Sequence, residues 1–82
     1  MIVLKPQGAE INIGSTANTV ANSVLVRVIN TGAAAVLHFK DSSGAEYANL
    51  TVSNAQCVVV QKSALDTLLG TGMLAVPVAY KY

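Results

Sequence analysis

His38, Cys57 and the four carboxylates Glu10, Asp41, Glu46 and Asp66 are the side chains with which this chain could make or break bonds. His38 is the single histidine, set between Leu37 and Phe39, and no second ligand or nucleophile is spaced to join it. It reads as a surface or interface histidine on the strand face opposite those two neighbours. Cys57 precedes Val58-Val59-Val60. A reactive thiol needs an accessible, electropositive niche that lowers its pKa, so the apolar neighbours predict a small packed hydrophobe instead. A lone cysteine also excludes a disulfide framework and a multi-cysteine metal site. No two carboxylates share a motif, so paired acids for hydrolysis, or an oxygen cage for calcium, would have to be assembled by the fold alone. Asp41 in Asp-Ser-Ser-Gly44 reads as a turn former. Gly70-Thr-Gly72 lacks the helix, lysine and downstream acid of a phosphate loop. Asn49-Leu-Thr51 matches a glycosylation sequon, read as chance because no secretory signal accompanies it. The expectation is a chain that is not an enzyme, with no catalytic, cofactor-binding or metal site and no small-molecule substrate.

The elements available to position these residues are strands. Valine, isoleucine and threonine supply 22 of the 82 residues, and β-branched side chains fit a pleated surface better than a helix. Short strand-like runs alternate with turn signals every 8–12 residues or so, the pattern of an all-β sandwich or barrel. Strands are expected over 2–5, 9–13, 24–30, 35–40, 47–52, 56–62 and 73–82. Asn30-Thr-Gly32 and Asp41-Ser-Ser-Gly44 are turns, and the glycine of the first can take a positive φ. Ser63 with Asp66 three residues on resembles a capping box, with Gly70 suited to follow it, so 63–70 holds either one short helical turn or a plain loop. Pro77 places the last strand at a sheet edge or at a bulge. The fold class is therefore all-β, a small antiparallel β-sandwich (immunoglobulin-like or jelly-roll-like) of about six to eight short strands in one domain over 1–82. Its main core is expected from Val26, Val28, Leu37, Phe39, Leu50, Val58, Val60, Val76 and Val78.

Composition narrows the function classes. Apolar residues make up 52% of the chain and charged residues 11%, with a formal net charge of +1. That excludes a disordered, solvating tail, and a chain without a basic patch is not expected to bind nucleic acid. No apolar run approaches the roughly 20 residues of a membrane-spanning helix. No secretory signal is recognised either, so a protein made in a cytoplasm is expected. A small sandwich should alternate apolar-in and polar-out, yet several strands are apolar on both faces. Val24, Val26 and Val28 lie opposite Leu25, Arg27 and Ile29. In the last strand Leu74, Val76, Val78, Tyr80 and Tyr82 oppose Met73, Ala75, Pro77 and Ala79. With nine charges in all, the surface would carry apolar patches, which mark contact sites. Leu25, Arg27, Ile29, Met73, Pro77, Tyr80 and Tyr82 are the candidate interface. The last strand is its centre unless residues 2–5 of the same chain cover that edge.

Four segments carry a resemblance. Val3-Leu-Lys-Pro-Gln-Gly8, Ser23-Val-Leu-Val-Arg-Val-Ile-Asn-Thr-Gly32, Val58-Val-Val-Gln-Lys62 with Asp66-Thr-Leu68, and Ala75-Val-Pro-Val-Ala-Tyr80 together resemble short proteins encoded by tailed phages of marine bacteria, cyanophages especially. Residues 50–60, after the hairpin turn, also look like the middle of many immunoglobulin-like modules, although the tryptophan and cysteine pair of antibody domains are missing. The resemblance implies a virion component such as a capsid decoration, cement or knob protein, assembled in a host cytoplasm. Its partners would be copies of itself or capsid proteins, with no nucleic acid, no membrane and no cofactor. The alternative is an adhesion module of a tail or fibre, presenting residues 14–22 and 41–44 as recognition loops.

Overall fold

In the computed structural model the backbone is described for residues 3–81 and the side chains for residues 5–79. Eight strands follow in order: β1 (Val3–Pro6), β2 (Ile11–Asn12), β3 (Leu25–Asn30), β4 (Ala35–Lys40), β5 (Glu46–Val52), β6 (Cys57–Gln61), β7 (Thr67–Leu69) and β8 (Met73–Lys81). All pairings are antiparallel, and the described residues contain no helix. One sheet has the order β1-β8-β3-β6 with β2 also on β8, and the other has the order β5-β4-β7. Their inner faces meet in one core. Val26, Val28, Met73 and Ala75 come from the first sheet, and Leu37, Phe39, Val52 and Leu68 from the second, with Ile13 and Val20 closing it from the connection.

β8 is a central strand, which corrects the expectation of an open edge in favour of its alternative, cover by the N-terminal strand of the same chain. β3 pairs one side of it, from Asn30↔Met73 to Val26↔Pro77. On the other side β1 pairs Val78 to Lys81 and β2 pairs Leu74 and Ala75. Main-chain groups of one strand residue point to the same side, and that side alternates along the strand. Pro77 accepts a bond from Gln7 N (2.7 Å) through its carbonyl. Its nitrogen, which has no hydrogen, therefore faces the same flank, where pairing breaks between β1 and β2. A proline fits there because no ladder bond is lost.

The core expectation holds on β3, β4 and β6 and fails on β5 and β8. Val26, Val28, Leu37 and Phe39 are buried in the central cluster, with Val58 and Val60 half-buried against it. Val76 and Val78 are buried too, but on the face of β8 opposite Met73 and Ala75. Leu50 is 39% exposed. It pairs with Leu37 and points inward, but β5 is the edge strand of its sheet. Residues 63–70 form no helix. Asp66 N donates to Ser63 O (3.0 Å) and Ser63 N to Asp66 Oδ2 (3.3 Å), a reciprocal turn that runs straight into β7.

Two connections depend on backbone conformation. Val20, Ala21 and Asn22 all take φ between 54° and 58°, a left-handed turn costing about 1–2 kcal/mol per residue. Val20 N donates to Asn18 Oδ1 (2.7 Å), and Ser23 closes the turn onto Val20 O through N (3.2 Å) and Oγ (2.8 Å). The buried Val20 side chain anchors it. In the turn from Gly70 to Met73, Gly72 takes φ 73°, as the third residue of a type II turn requires. Gly32 does not use the left-handed region; the buried Asn30 side chain organises that turn instead.

Candidate interaction surface

The outer face of the first sheet follows from its register. On β3, Leu25, Arg27 and Ile29 are half-buried while their alternates Val26, Val28 and Asn30 are buried. Arg27 lies between Val59 on β6 and Val76 on β8, and Ile29 between Cys57 and Leu74. Val59 and Leu74 are half-buried and Cys57 is exposed. The cysteine is thus a surface thiol beside apolar neighbours, not the packed residue expected. This face presents one cation amid aliphatic side chains.

Of the seven candidate interface residues, Leu25, Arg27 and Ile29 lie together on this face. Met73 is 0% exposed and Pro77 is buried, so neither presents a surface. Both belong to the inward side of β8, where Ala75 between them packs into the core. Tyr80 and Tyr82 fall outside the described side chains.

A second apolar region lines the open flank where β5 and β6 leave their sheets unpaired. Leu50 (39% exposed) and Tyr47 (53%) belong to β5, Val58 and Val60 on β6 are half-buried, and exposed Leu65 (60%) follows β6 in the chain. The Tyr47 ring sits 6.3 Å from that of Phe39, and its hydroxyl donates to Asp66 Oδ2 (2.7 Å). That bond to a carboxylate pushes the tyrosine pKa up.

Four of the polar side chains, His38, Glu46, Asp41 and Lys62, are committed to structure. His38 Nδ1 lies 2.7 Å from Glu46 Oε1 across the β4–β5 pair, on the face opposite Leu37 and Phe39, as expected. A bond from Asn49 Nδ2 and the His38 contact hold the Glu46 carboxyl below its ordinary pKa. Asp41 Oδ1 accepts from Ser43 N (2.9 Å), Ser43 Oγ (2.6 Å) and Ala45 N (3.0 Å). These bonds lower its pKa, and Gly44 at φ 89° completes the hairpin. Lys62 is only 5% exposed; its Nζ donates to Ser23 O (2.7 Å), Ser63 O (3.2 Å) and Ala64 O (3.3 Å). Burial pushes this ammonium's pKa down. Lys62 is the residue that sequence reasoning missed, since nothing in Gln61-Lys62-Ser63 distinguishes a buried lysine from a solvated one. Among the described residues no group of three His, Cys, Asp or Glu side chains gathers to hold a metal, and no pocket forms.

Fold and surface together define a small all-β protein of two antiparallel sheets, with its apolar side chains shared between a core and an outer face. No protein-family model, curated protein or solved structure matches the chain.

Proposed function

We propose that this chain is a non-enzymatic structural protein of a phage particle, a capsid decoration, cement or knob protein that works by contact with capsid proteins or with copies of itself. The observation that supports it is the outer face of the first sheet. Leu25, Ile29, Val59 and Leu74 are only half-buried there, in a chain with nine charged residues to cover its surface. Apolar area of that kind on a small protein marks a contact site. The phage setting rests on the resemblance of residues 3–8, 23–32, 58–62 with 66–68, and 75–80 to short proteins of marine tailed phages, cyanophages especially.

A tail or fibre adhesion module draws on a different feature. The 41–45 hairpin lies at the Lys40 end of β4, next to Thr67 of β7. Lys62 ties residues 63–64 there to Ser23, at the end of the 14–22 connection. The 41–45 hairpin and the last residues of the 14–22 connection thus come to one end of the sandwich. Immunogold electron microscopy of purified particles of the encoding phage tests the two readings. Label over the head lattice is the expected result; label on fibres alone supports the adhesion module, and particles without label end both.

A further inference from the structure

Among the described residues nothing guards the edge of β6. Exposed sheet edges offer unpaired N–H and C=O groups, and proteins blunt them with charge, proline, bulges, shortness or cover. The other edges show these devices. β1 carries Lys5 and Pro6, and β2 is two residues long. β7 is bridged on its outer side by Asn18, through Asn18 N to Leu68 O (3.0 Å) and Leu68 N to Asn18 O (2.9 Å). β5 begins at Glu46 beside a register shift at Phe39/Lys40. In β6, Cys57-Val-Val-Val-Gln61 has no charge and no proline. The lysine immediately after it would be its natural guard, but the Lys62 ammonium is turned inward onto three carbonyls.

The free edge is also self-complementary. Asn30 N donates to Gln56 O (3.0 Å) and Lys62 N to Val24 O (2.8 Å), so the ladder to β3 uses the even-numbered residues of this strand. By alternation, Cys57, Val59 and Gln61 aim their N–H and C=O groups outward. These three are symmetric about Val59. We infer that β6 pairs antiparallel with β6 of a second copy across a twofold axis at Val59. Cys57 exchanges main-chain bonds with Gln61 of the partner subunit, and Val59 with Val59 of the partner subunit. The two first sheets become one continuous sheet, and half-buried Val58 and Val60 gain cover at the open flank. Such an isologous contact closes on itself. It rests on the reading of this chain as a contact module and names its partner.

Sedimentation of the full chain tests it. Wild type is expected at twice the 8.4 kDa chain mass at micromolar concentrations. Val59→Glu is expected at the single mass with an unchanged circular dichroism spectrum. In the monomer the introduced carboxylate would face Arg27 across the β3–β6 ladder, but in the dimer two carboxylates would oppose each other. Cys57→Ser/Val59→Cys is expected to cross-link on mild oxidation, since directly paired residues sit at a Cα spacing of about 5.5 Å. A wild-type monomer at every concentration overturns the pairing, even if particles carry the label. A dimer dissociated by Leu50→Glu but not by Val59→Glu overturns it too. A β6 dimer with unlabelled particles upholds the pairing and ends the particle reading alone.

Discussion

Asn30 joins the two sheets through one amide. Its Nδ2 donates to Val52 O (2.8 Å), at the end of β5, and to Ala33 O (2.9 Å), while Oδ1 accepts from Gly32 N (2.9 Å). The side chain is fully buried, so Asn30→Ala strands carbonyls that water does not readily reach. A loss of roughly 2–3 kcal/mol in urea unfolding is the expected outcome. Lys62 ties the connection after β6 to Ser23 before β3, and its pH dependence has a definite sign. The folded pKa lies below the ordinary 10.5, so over the interval up to 10.5 the unfolded chain holds the proton that the folded chain has released. Stability from this group therefore rises with pH through that interval. Lys62→Met removes this rise and costs about 1–3 kcal/mol through undonated carbonyls, and its deficit against wild type should widen as pH approaches 10.5. Tyr47 works in the opposite direction, because its raised pKa costs stability above 10.0. Both proteins carry it, so the difference between their urea midpoints isolates Lys62.

The β4–β5 hairpin depends on Asp41 as a charged acceptor. Its folded pKa is lowered from 3.8 by the Ser43 and Ala45 bonds, so its contribution is present above 3.8 and fades as pH falls through the lowered value. Asp41→Ala should lower the melting temperature at neutral pH and flatten that part of the acid limb, as thermal melts across the acidic range would read. This hairpin was legible in Asp-Ser-Ser-Gly44, and β3 and β4 in their period-two alternation. Leu25, Arg27 and Ile29 could be placed on one outer face for the same reason. β7 was not legible: Thr67-Leu68-Leu69 is too short to alternate, and the Ser63–Asp66 signal names a turn without specifying a strand after it. β8 misled because both of its faces are apolar, so periodicity cannot choose between Met73 and Val76 for the core. Pro77 signals a missing ladder bond, but the break between β1 and β2 that accommodates it is set by tertiary pairing.

The whole molecule has little stability to spare. At about 0.05–0.15 kcal/mol per residue, 82 residues correspond to roughly 4–12 kcal/mol. Phe39 is the single phenylalanine and packs across from Leu68. Phe39→Ala costs about 3–5 kcal/mol, so cooperative unfolding should shift to far lower temperature or vanish, and a melting temperature equal to wild type would contradict the packing. The central position of β8 also bears on when the molecule can form. Of the eight strands it is translated last, yet among the described residues β1 and β2 have no other partner strand and β3 otherwise holds only β6. Until residues 73–81 clear the ribosome, the first sheet lacks its middle and Val26 and Val28 face a gap. The first sheet is thus completed in one late step that draws the earlier strands onto β8.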